Sequence, residues 1–510
     1  MFSCVNTITL NGINGYLVQV ETSISAGFPS FDIVGLPDTS VREAKERVLS
    51  AIKNVGFDWP DGKVTINLAP ANTKKEGAIF DLPIAISLLL AMGKIEKSDI
   101  SQYAFIGELS LSGNLNHING VLPIAISAKS LNINTLFVPE KNAKEASIVS
   151  DINIIPINNL IDVLKHISGQ KIISRFTSSS FSFENNSSYD IDFSDVKGQD
   201  VAKRAMEIAA AGNHNLLLIG TPGSGKTMLS KRLPTILPDL TFEEALEITK
   251  IHSICGLISN YNSLITKRPF RSPHHTVSNV SLVGGGKNPH PGEISLAHNG
   301  VLFLDELPEF QKNALEVLRQ PLEDNLVTIS RANGTYTYPA KFMLVASMNP
   351  CPCGYYGSST HTCSCPANKI QSYLNKISGP LLDRIDIHVE VSDTKYSDLN
   401  STQKSESSLI IRKRVNAARQ VQNERYKNYK IYSNSELTPK LIEKFCKLDT
   451  QSQQLLENIF NKLKLSARAY SRILKVARTI ADLAGNENIQ SEHIAEAIQY
   501  RNLDRRYFKN

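Results

Sequence analysis

The sequence is poor in cysteine, tryptophan and long apolar runs: its 510 residues include seven cysteines and one tryptophan. A low and odd number of cysteines argues against a disulfide-stabilised secreted domain. The longest apolar run, residues 82–93, is interrupted by Pro83 and falls short of the ~18 residues that a membrane-spanning helix needs. No basic segment precedes an apolar run at the start of the chain, so we expect no signal peptide, no membrane partner and a cytoplasmic protein.

The composition, with 41% apolar and 20% charged residues, is that of a globular chain with room for about three domains of ~150 residues. The net charge is +6, but residues 411–510 alone carry 20 basic against 10 acidic side chains. A basic C-terminal fifth is compatible with an anionic partner such as nucleic acid, and equally with a solvated helical face.

Changes in composition divide the chain into segments. The first alternates strand-like and helical patterns, and Asp38 is placed to cap a helix that reaches Val55. A Ser/Asn-rich linker follows, then a second α/β segment, then a polar stretch and helical periodicity. The predicted fold class is therefore α/β with a helical C-terminal region. The segments are residues 1–172, 173–192, 193–395 and 396–510.

A complete phosphate-binding loop follows the buried-type strand 215–219 and opens a helix. Its glycines let backbone N–H groups surround the phosphates, the Lys226 ammonium pairs with the β/γ oxygens, and the Thr227 hydroxyl binds Mg²⁺. The sequence therefore predicts an ATP·Mg²⁺ site. The loop residues are Gly220, Thr221, Pro222, Gly223, Ser224, Gly225, Lys226 and Thr227.

Two further apolar runs end in polar residues that suit the same site. Residues 301–304 lead into Asp305 and Glu306, which fits a central parallel strand that delivers a Mg²⁺ ligand and a general base. Residues 342–347 lead to Asn349, a candidate for orienting water at the γ-phosphate. These patterns indicate hydrolysis in addition to binding.

An Asn-Gly pair at Asn333 and Gly334 separates two β-rich runs and predicts a hairpin. Arg331 and Tyr336 near its tip are candidates for contacting a polymer, although a purely structural hairpin explains the local sequence as well.

These motifs together resemble an AAA+ ATPase of the pre-sensor-1 hairpin clade. Three longer strings, residues 268–278, 282–310 and 466–483, resemble the magnesium-chelatase-like proteins of the ComM/YifB family over essentially the whole chain. The resemblance implies a ring-forming, hexameric ATPase that acts as a branch-migration helicase on DNA in recombination and natural transformation.

The resemblance also implies roles for residues outside the loop. Arg384 matches an arginine finger offered to the neighbouring subunit's ATP, and Arg468, with Arg472 as the alternative, matches the sensor-2 arginine of a helical lid. Residues 195–199 match the segment that wraps the adenine, and residues 270–296 match a pore-facing insert.

The N-terminal segment resembles the Lon-type protease fold. The positions of the Ser–Lys dyad hold Ile79 and Leu122, which offer neither a nucleophile nor an amine, so we expect no proteolysis. Lys74, Lys75 and Lys129 are candidates for phosphate contacts, which favours a DNA-contacting or ring-stabilising module.

Two close cysteine pairs follow Asn349 and suit tetrahedral Zn²⁺, although C-x-C departs from the usual C-x2-C spacing. His361 is an alternative ligand, and disulfides or free thiols remain open. His274 and His275 suit a DNA or intersubunit contact better than a metal. The four cysteines are Cys351, Cys353, Cys363 and Cys365.

The leading functional interpretation is an ATP-driven ring-forming DNA motor. The alternatives are a metal-insertion motor, since the core resembles the ATPase subunit of magnesium chelatase, and a non-proteolytic protein-remodelling ATPase, suggested by the Lon-like fold.

Overall fold

The computed structural model describes residues 1–95, 99–177, 189–258, 263–286, 289–331, 334–358, 361–393, 405–463, 466–501, 503 and 507. Within these ranges the chain forms two compact units. The first contains residues 1–184 and 245–265, and the second contains residues 185–244 and 266–510. The composition predicts that residues 245–265 belong to the second α/β segment, 193–395, whereas they pack in the first unit.

The first unit is built on a seven-stranded mixed sheet with the order β3-β4-β2-β1-β5-β8-β9. Strands β1 and β2 pair antiparallel, and β5, β8 and β9 run parallel to one another. The strands are β1 (Phe2–Asn11), β2 (Asn14–Ser25), β3 (Ser30–Val34), β4 (Lys63–Ala69), β5 (Tyr103–Phe105), β6 (Glu108–Leu109), β7 (Leu115–Asn116), β8 (Thr135–Pro139) and β9 (Asn153–Ile157).

The helices of this unit cover the sheet. The predicted N-cap is confirmed, since the Asp38 carboxylate accepts a hydrogen bond from the N–H of Val41 at the start of α1. Helix α2 is buried almost all round, as its apolar sequence predicts, and Pro83 is accommodated in its first turn. The helices are α1 (Thr39–Asn54), α2 (Asp81–Ala91), α3 (Val121–Ser130), α4 (Glu140–Ala146) and α5 (Leu160–Ile167).

The second unit has a five-stranded parallel sheet with the order β11-β14-β17-β10-β18. Its central strands are continuous apolar runs, as strands covered on both faces require. Two further antiparallel pairs, β12 with β13 and β15 with β16, lie outside this sheet. The strands are β10 (Leu216–Gly220), β11 (Phe270–Arg271), β12 (Gly284–Gly285), β13 (His290–Pro291), β14 (Val301–Leu304), β15 (Leu326–Arg331), β16 (Gly334–Pro339), β17 (Met343–Met348) and β18 (Ile387–Val391).

Short helices connect these strands, and longer helices form the C-terminal part of the chain. Ser466 caps the long helix α18 by accepting from the N–H of Ala469, and one face of α18 is buried. The helices that follow α5 are α6 (Asp200–Gly212), α7 (Lys226–Arg232), α8 (Phe242–Ile254), α9 (Asn279–Val283), α10 (Glu293–Leu296), α11 (Lys312–Glu316), α12 (Arg319–Asp324), α13 (Ala367–Leu374), α14 (Gly379–Leu382), α15 (Ser408–Tyr426), α16 (Pro439–Phe445), α17 (Thr450–Leu463), α18 (Ala467–Leu483) and α19 (Ser491–Gln499).

None of the helices in the described ranges combines the length and the apolarity that crossing a bilayer demands.

A buried polar network joins the parallel sheet to the C-terminal helices. The His214 ring, just before β10, contacts the Asp386 carboxylate at 3.3 Å and the Thr479 hydroxyl of α18 at 2.8 Å. Arg472 of α18 also pairs with Asp386. Burial alone would raise the pKa of Asp386, but the Arg472 charge, the hydrogen bond with His214 and the charges of His214 and Lys475 together outweigh burial and hold the pKa well below its usual range.

Candidate nucleotide site

The phosphate-binding loop connects the end of β10 to the start of α7. A Cβ atom on Gly220 would lie 2.5 Å from the carbonyl oxygen of Val391, so only glycine fits beside β18. Gly223 and Gly225 have φ angles of 80° and 90°, which L side chains rarely adopt. The loop therefore has the strand–loop–helix setting in which backbone N–H groups bind phosphate.

Lys226 is the first residue of α7, and its ammonium is directed back into the loop. The Nζ atom donates to the carbonyl oxygens of Gly220 and Thr221, each at 2.8 Å, and to Oδ1 of Asn349 at 3.1 Å. Burial lowers the pKa of Lys226, and the nearby carboxylates, Asp305 first among them, oppose that shift. The predicted phosphate lysine and the predicted sensor residue thus lie side by side.

Thr227 and Asp305 also meet, although 78 residues separate them: the Thr227 hydroxyl donates to Oδ2 of Asp305 at 2.7 Å. The second carboxylate oxygen accepts from the hydroxyl of Ser347 on β17. Beside them the Ser224 hydroxyl is buried and has no hydrogen-bond partner among the described residues. A hydroxyl, a carboxylate and an unpartnered polar atom fit the Mg²⁺ and phosphate groups of a nucleotide.

Glu306 directly follows Asp305 at the carboxyl edge of the sheet. Its φ angle is 55°, an unfavourable backbone conformation for a residue with a side chain and one that recurs at functional sites. The carboxylate is half exposed, and its Oε2 atom lies 3.4 Å from Nδ1 of His275, whose ring stacks on that of His274 at 4.1 Å. Glu306 therefore lies at this edge of the sheet with the histidine pair beside it, and its role as a general base remains a prediction.

Sequence reasoning missed three residues around the loop. Asp393, after β18, accepts from the Thr221 hydroxyl, and Ser347 orients Asp305 as described above. Gly354 lies so close to the loop that a Cβ atom there would be 2.5 Å from the Pro222 ring. A polar residue at a strand end was the only available signal for Ser347 and Asp393; nothing in the sequence pointed to Gly354.

The segment expected to wrap the adenine, residues 195–199, reaches the loop. The Gln199 amide donates to the carbonyl oxygens of Ser392 at 2.5 Å and Ser224 at 3.4 Å.

Arg384, the expected arginine finger, is 7% exposed in the single chain. Its guanidinium donates to the carbonyl oxygen of Pro380 at 2.5 Å and pairs with Glu323, while its Nε is buried without a partner among the described residues. The role of Arg384 as an arginine finger for the neighbouring subunit's ATP therefore remains a prediction. That role requires the Arg384 side chain to break its ion pair with Glu323.

The two sensor-2 candidates differ in their surroundings. The Arg468 side chain is 64% exposed, with Nη1 3.9 Å from the Asp383 carboxylate. Arg472 is instead paired with Asp386 in the buried network, and the sensor-2 role of Arg468 remains a prediction.

The four cysteines of the predicted metal site come together. Their Sγ atoms all lie within 4.8 Å of one another, and no disulfide joins them. His361 is not part of this group; its ring stacks on Tyr355 at 4.7 Å. The cysteine cluster consists of Cys351, Cys353, Cys363 and Cys365.

The predicted hairpin is confirmed, with β15 and β16 paired antiparallel up to Arg331 opposite Gly334. Strands β12 and β13 of the expected insert pack on it: the Tyr338 hydroxyl donates to the carbonyl oxygen of Pro289 at 2.7 Å, and Gly285 lies against the Arg331 guanidinium. Lys287 of the insert and the residues 332–333 lie outside the described residues.

In the first unit, Ile79 is half-buried against the apolar core and Leu122 is fully buried. Of the lysines considered for phosphate contacts, Lys75 is wrongly assigned: it is buried and donates to the carbonyl oxygen of Thr73 at 2.8 Å. Lys74 and Lys129 are paired with Glu76 and Asp151.

Comparison with known proteins agrees with this geometry. Residues 192–399 match the family described as magnesium chelatase, subunit ChlI. Residues 20–142 match the description subunit ChlI of Mg-chelatase, and residues 405–501 match magnesium chelatase, subunit ChlI C-terminal.

Full-length relatives are also similar. The competence protein ComM of Haemophilus influenzae is 46% identical over 97% of this chain and 96% of its own length. The uncharacterized protein YifB of Escherichia coli is 43% identical over 99% and 97%. A Lon protease of Aster yellows witches'-broom phytoplasma is 28% identical over 32% of this chain and 22% of its own length.

The fold and the site define a P-loop protein of the magnesium-chelatase-like AAA+ class. Within that class, the chain belongs to the family that contains ComM and YifB.

Proposed function

We propose that this protein hydrolyses ATP with Mg²⁺ and uses the energy to move DNA branch points, as a homo-hexameric ring, in recombination during natural transformation. The observation that carries the proposal is the complete nucleotide site in a chain that is 46% identical, over nearly its full length, to a competence protein.

Each step of hydrolysis is assigned to a residue of the site. Lys226 neutralises the β/γ-phosphate oxygens. Thr227 and Asp305 would hold the Mg²⁺, which would supply charge stabilisation to the transferred phosphoryl group. Glu306 accepts the proton of the attacking water, and Asn349 orients that water while keeping Lys226 in place. Arg384 stabilises the transition state in the neighbouring subunit, and Arg468 senses the nucleotide.

The DNA contact is assigned to the hairpin β15–β16 and the insert packed on it. Arg331 is exposed on that hairpin, and Tyr336 offers an aromatic face on which a base can stack. The charge excess of residues 411–510 adds an attraction to phosphates that weakens as salt is raised.

The test is ATP turnover with and without DNA. We expect branched or single-stranded DNA to stimulate ATP hydrolysis. The Glu306→Gln variant should still bind ATP but hydrolyse it about 100-fold more slowly, or slower still. The Glu309→Gln variant should behave like wild type. Glu309 is a matched control because it lies three residues away and pairs on the surface with Lys376. Turnover that DNA does not change, together with an active Glu306→Gln variant, would refute the proposal.

A protein-remodelling ATPase is the second candidate, favoured by the Lon similarity. If the protein has this function, unfolded protein and not DNA should stimulate ATP hydrolysis in the same assay.

A further inference from the structure

Three of the sulfur–sulfur separations in the cysteine cluster are close to those of a tetrahedral metal site, and the Sγ atom of Cys365 lies within 4.8 Å of the other three. The Sγ atom of Cys351 lies 3.3 Å from that of Cys353 and 3.7 Å from that of Cys363, and Cys353 and Cys363 are 3.6 Å apart. Four sulfurs bound to one Zn²⁺ at ~2.3 Å are ~3.8 Å from each other in a regular tetrahedron. A disulfide needs ~2.05 Å, so these separations match shared coordination and not oxidation.

The donor set selects the ion. Four thiolates suit Zn²⁺, whereas Mg²⁺ and Ca²⁺ require oxygen ligands. The N–H of Tyr356 donates to Sγ of Cys351 at 3.3 Å, and the N–H of Cys365 donates to Sγ of Cys363 at 3.4 Å. Such backbone donors orient metal-bound sulfurs and offset their negative charge.

The loop that carries the cluster is part of the wall of the nucleotide site. Cys351 is two residues beyond Asn349, which holds Lys226. Gly354, with a φ angle of 89°, contacts the Pro222 ring, and the Ser358 hydroxyl donates to Asp393 at 3.5 Å. Because Asp393 also accepts from the phosphate loop, the cluster is connected to that loop at three points.

We propose that the cysteine cluster binds one structural Zn²⁺, and that this ion fixes residues 351–358 and 361–365 as a rigid support for the phosphate loop. Without the ion only weak hydrogen bonds between sulfur atoms would keep the thiols together, and the packing of Gly354 against the Pro222 ring would loosen. Zinc binding does not depend on the proposed function. The expected effect of the ion on ATP binding does rest on that function.

The first test is metal analysis of the full-length protein, purified under reducing conditions without chelator. We expect about one Zn per chain, with release by a mercurial reagent only as four thiols are consumed. The Cys351→Ser/Cys363→Ser variant should lose the zinc, and Cys4→Ser, an exposed cysteine in the first unit, should keep it. Cobalt substitution should give the intense visible absorption of a tetrahedral thiolate site.

Protein with no zinc and four freely reactive thiols would overturn the proposal, and so would one iron per chain in place of zinc. The wild-type measurement decides this even if the double variant fails to fold.

The second test separates the ion from its effect on the loop. Gly354→Ala should keep the zinc but weaken ATP binding about fivefold, because the added Cβ meets Pro222. Gly485→Ala is the matched control, since Gly485 also has a positive φ angle, 73°, but no atom near its Cβ position. Unchanged ATP affinity in Gly354→Ala would refute the supporting role while leaving the metal site intact.

Discussion

The Nζ atom of Lys226 lies 3.1 Å from Oδ1 of Asn349, so the lysine expected to bind phosphate and the residue expected to orient water are in direct contact. The two residues come from different motifs, 123 positions apart. Parallel pairing of β10 with β17 brings their carboxyl ends together and creates this contact.

We expect Asn349→Ala to lower kcat about 100-fold, as loss of one transition-state donor does in other enzymes, with a much smaller change in ATP affinity. Steady-state ATPase kinetics and nucleotide titration measure the two effects. Asn375→Ala, which removes an exposed amide after α13, serves as the control. A variant that loses binding and turnover equally would show that Asn349 acts only by placing Lys226.

Ser347 orients the carboxylate of Asp305, and Ser347→Ala should therefore raise the Mg²⁺ concentration for half-maximal activity about tenfold. Activity at saturating Mg²⁺ should largely recover. An unchanged Mg²⁺ dependence would show that Asp305 keeps its orientation without this hydroxyl.

The convergence of the candidate site residues was predictable because each motif is local. The glycines of the phosphate loop, the acids after residues 301–304 and Asn349 after its strand each appear within a few residues of sequence. The parallel sheet then places these segment ends at one edge.

The supporting contacts were not predictable, because they join positions far apart in the chain. Ser347 and Asp305 are 42 residues apart, and Arg384 and Glu323 are 61 apart. For Lys75 the sequence predicted a contact that the structure does not have. A lysine in a polar stretch suggested a phosphate contact, but the Lys75 ammonium donates hydrogen bonds to carbonyl groups of its own loop. Such outcomes depend on tertiary packing that a linear pattern does not encode.

The pairing of Arg384 with Glu323 yields a test of the proposed hexameric ring. Arg384→Ala should bind ATP but hydrolyse it about 1000-fold more slowly, and mixing it with Lys226→Ala subunits before assembly should restore part of the activity. Glu323→Gln removes the same ion pair but keeps the arginine, and it should remain active. The pair would have a purely structural role if Arg384→Ala and Glu323→Gln lost ATP hydrolysis equally and confirmed mixed rings showed no complementation.

Asp386 should contribute to stability in a pH-dependent manner. Its pKa in the folded chain is depressed below the ordinary 3.8, so its contribution is present above about pH 4 and is lost as pH falls further. Asp386→Asn should lower the free energy of unfolding at pH 7 by about 3 kcal/mol, because it leaves the half-buried Arg472 without its partner charge and removes the buried carboxylate that His214 contacts.

Chemical denaturation at pH 7 and at pH 3 measures this effect, and the difference between the variant and wild type should shrink at the lower pH. Asp383→Asn is the control, since its contact with Arg468 is 3.9 Å long and exposed. Equal stability of Asp386→Asn and wild type at pH 7 would contradict the buried network as a source of stability.

Movement of a branch point in a three-stranded DNA substrate with homologous arms measures the proposed DNA-motor activity directly. We expect the protein to displace the strand with ATP and Mg²⁺, but not with a non-hydrolysable analogue or with the Glu306→Gln variant. Active ATP hydrolysis with no movement of the branch point under any of these conditions would contradict that activity.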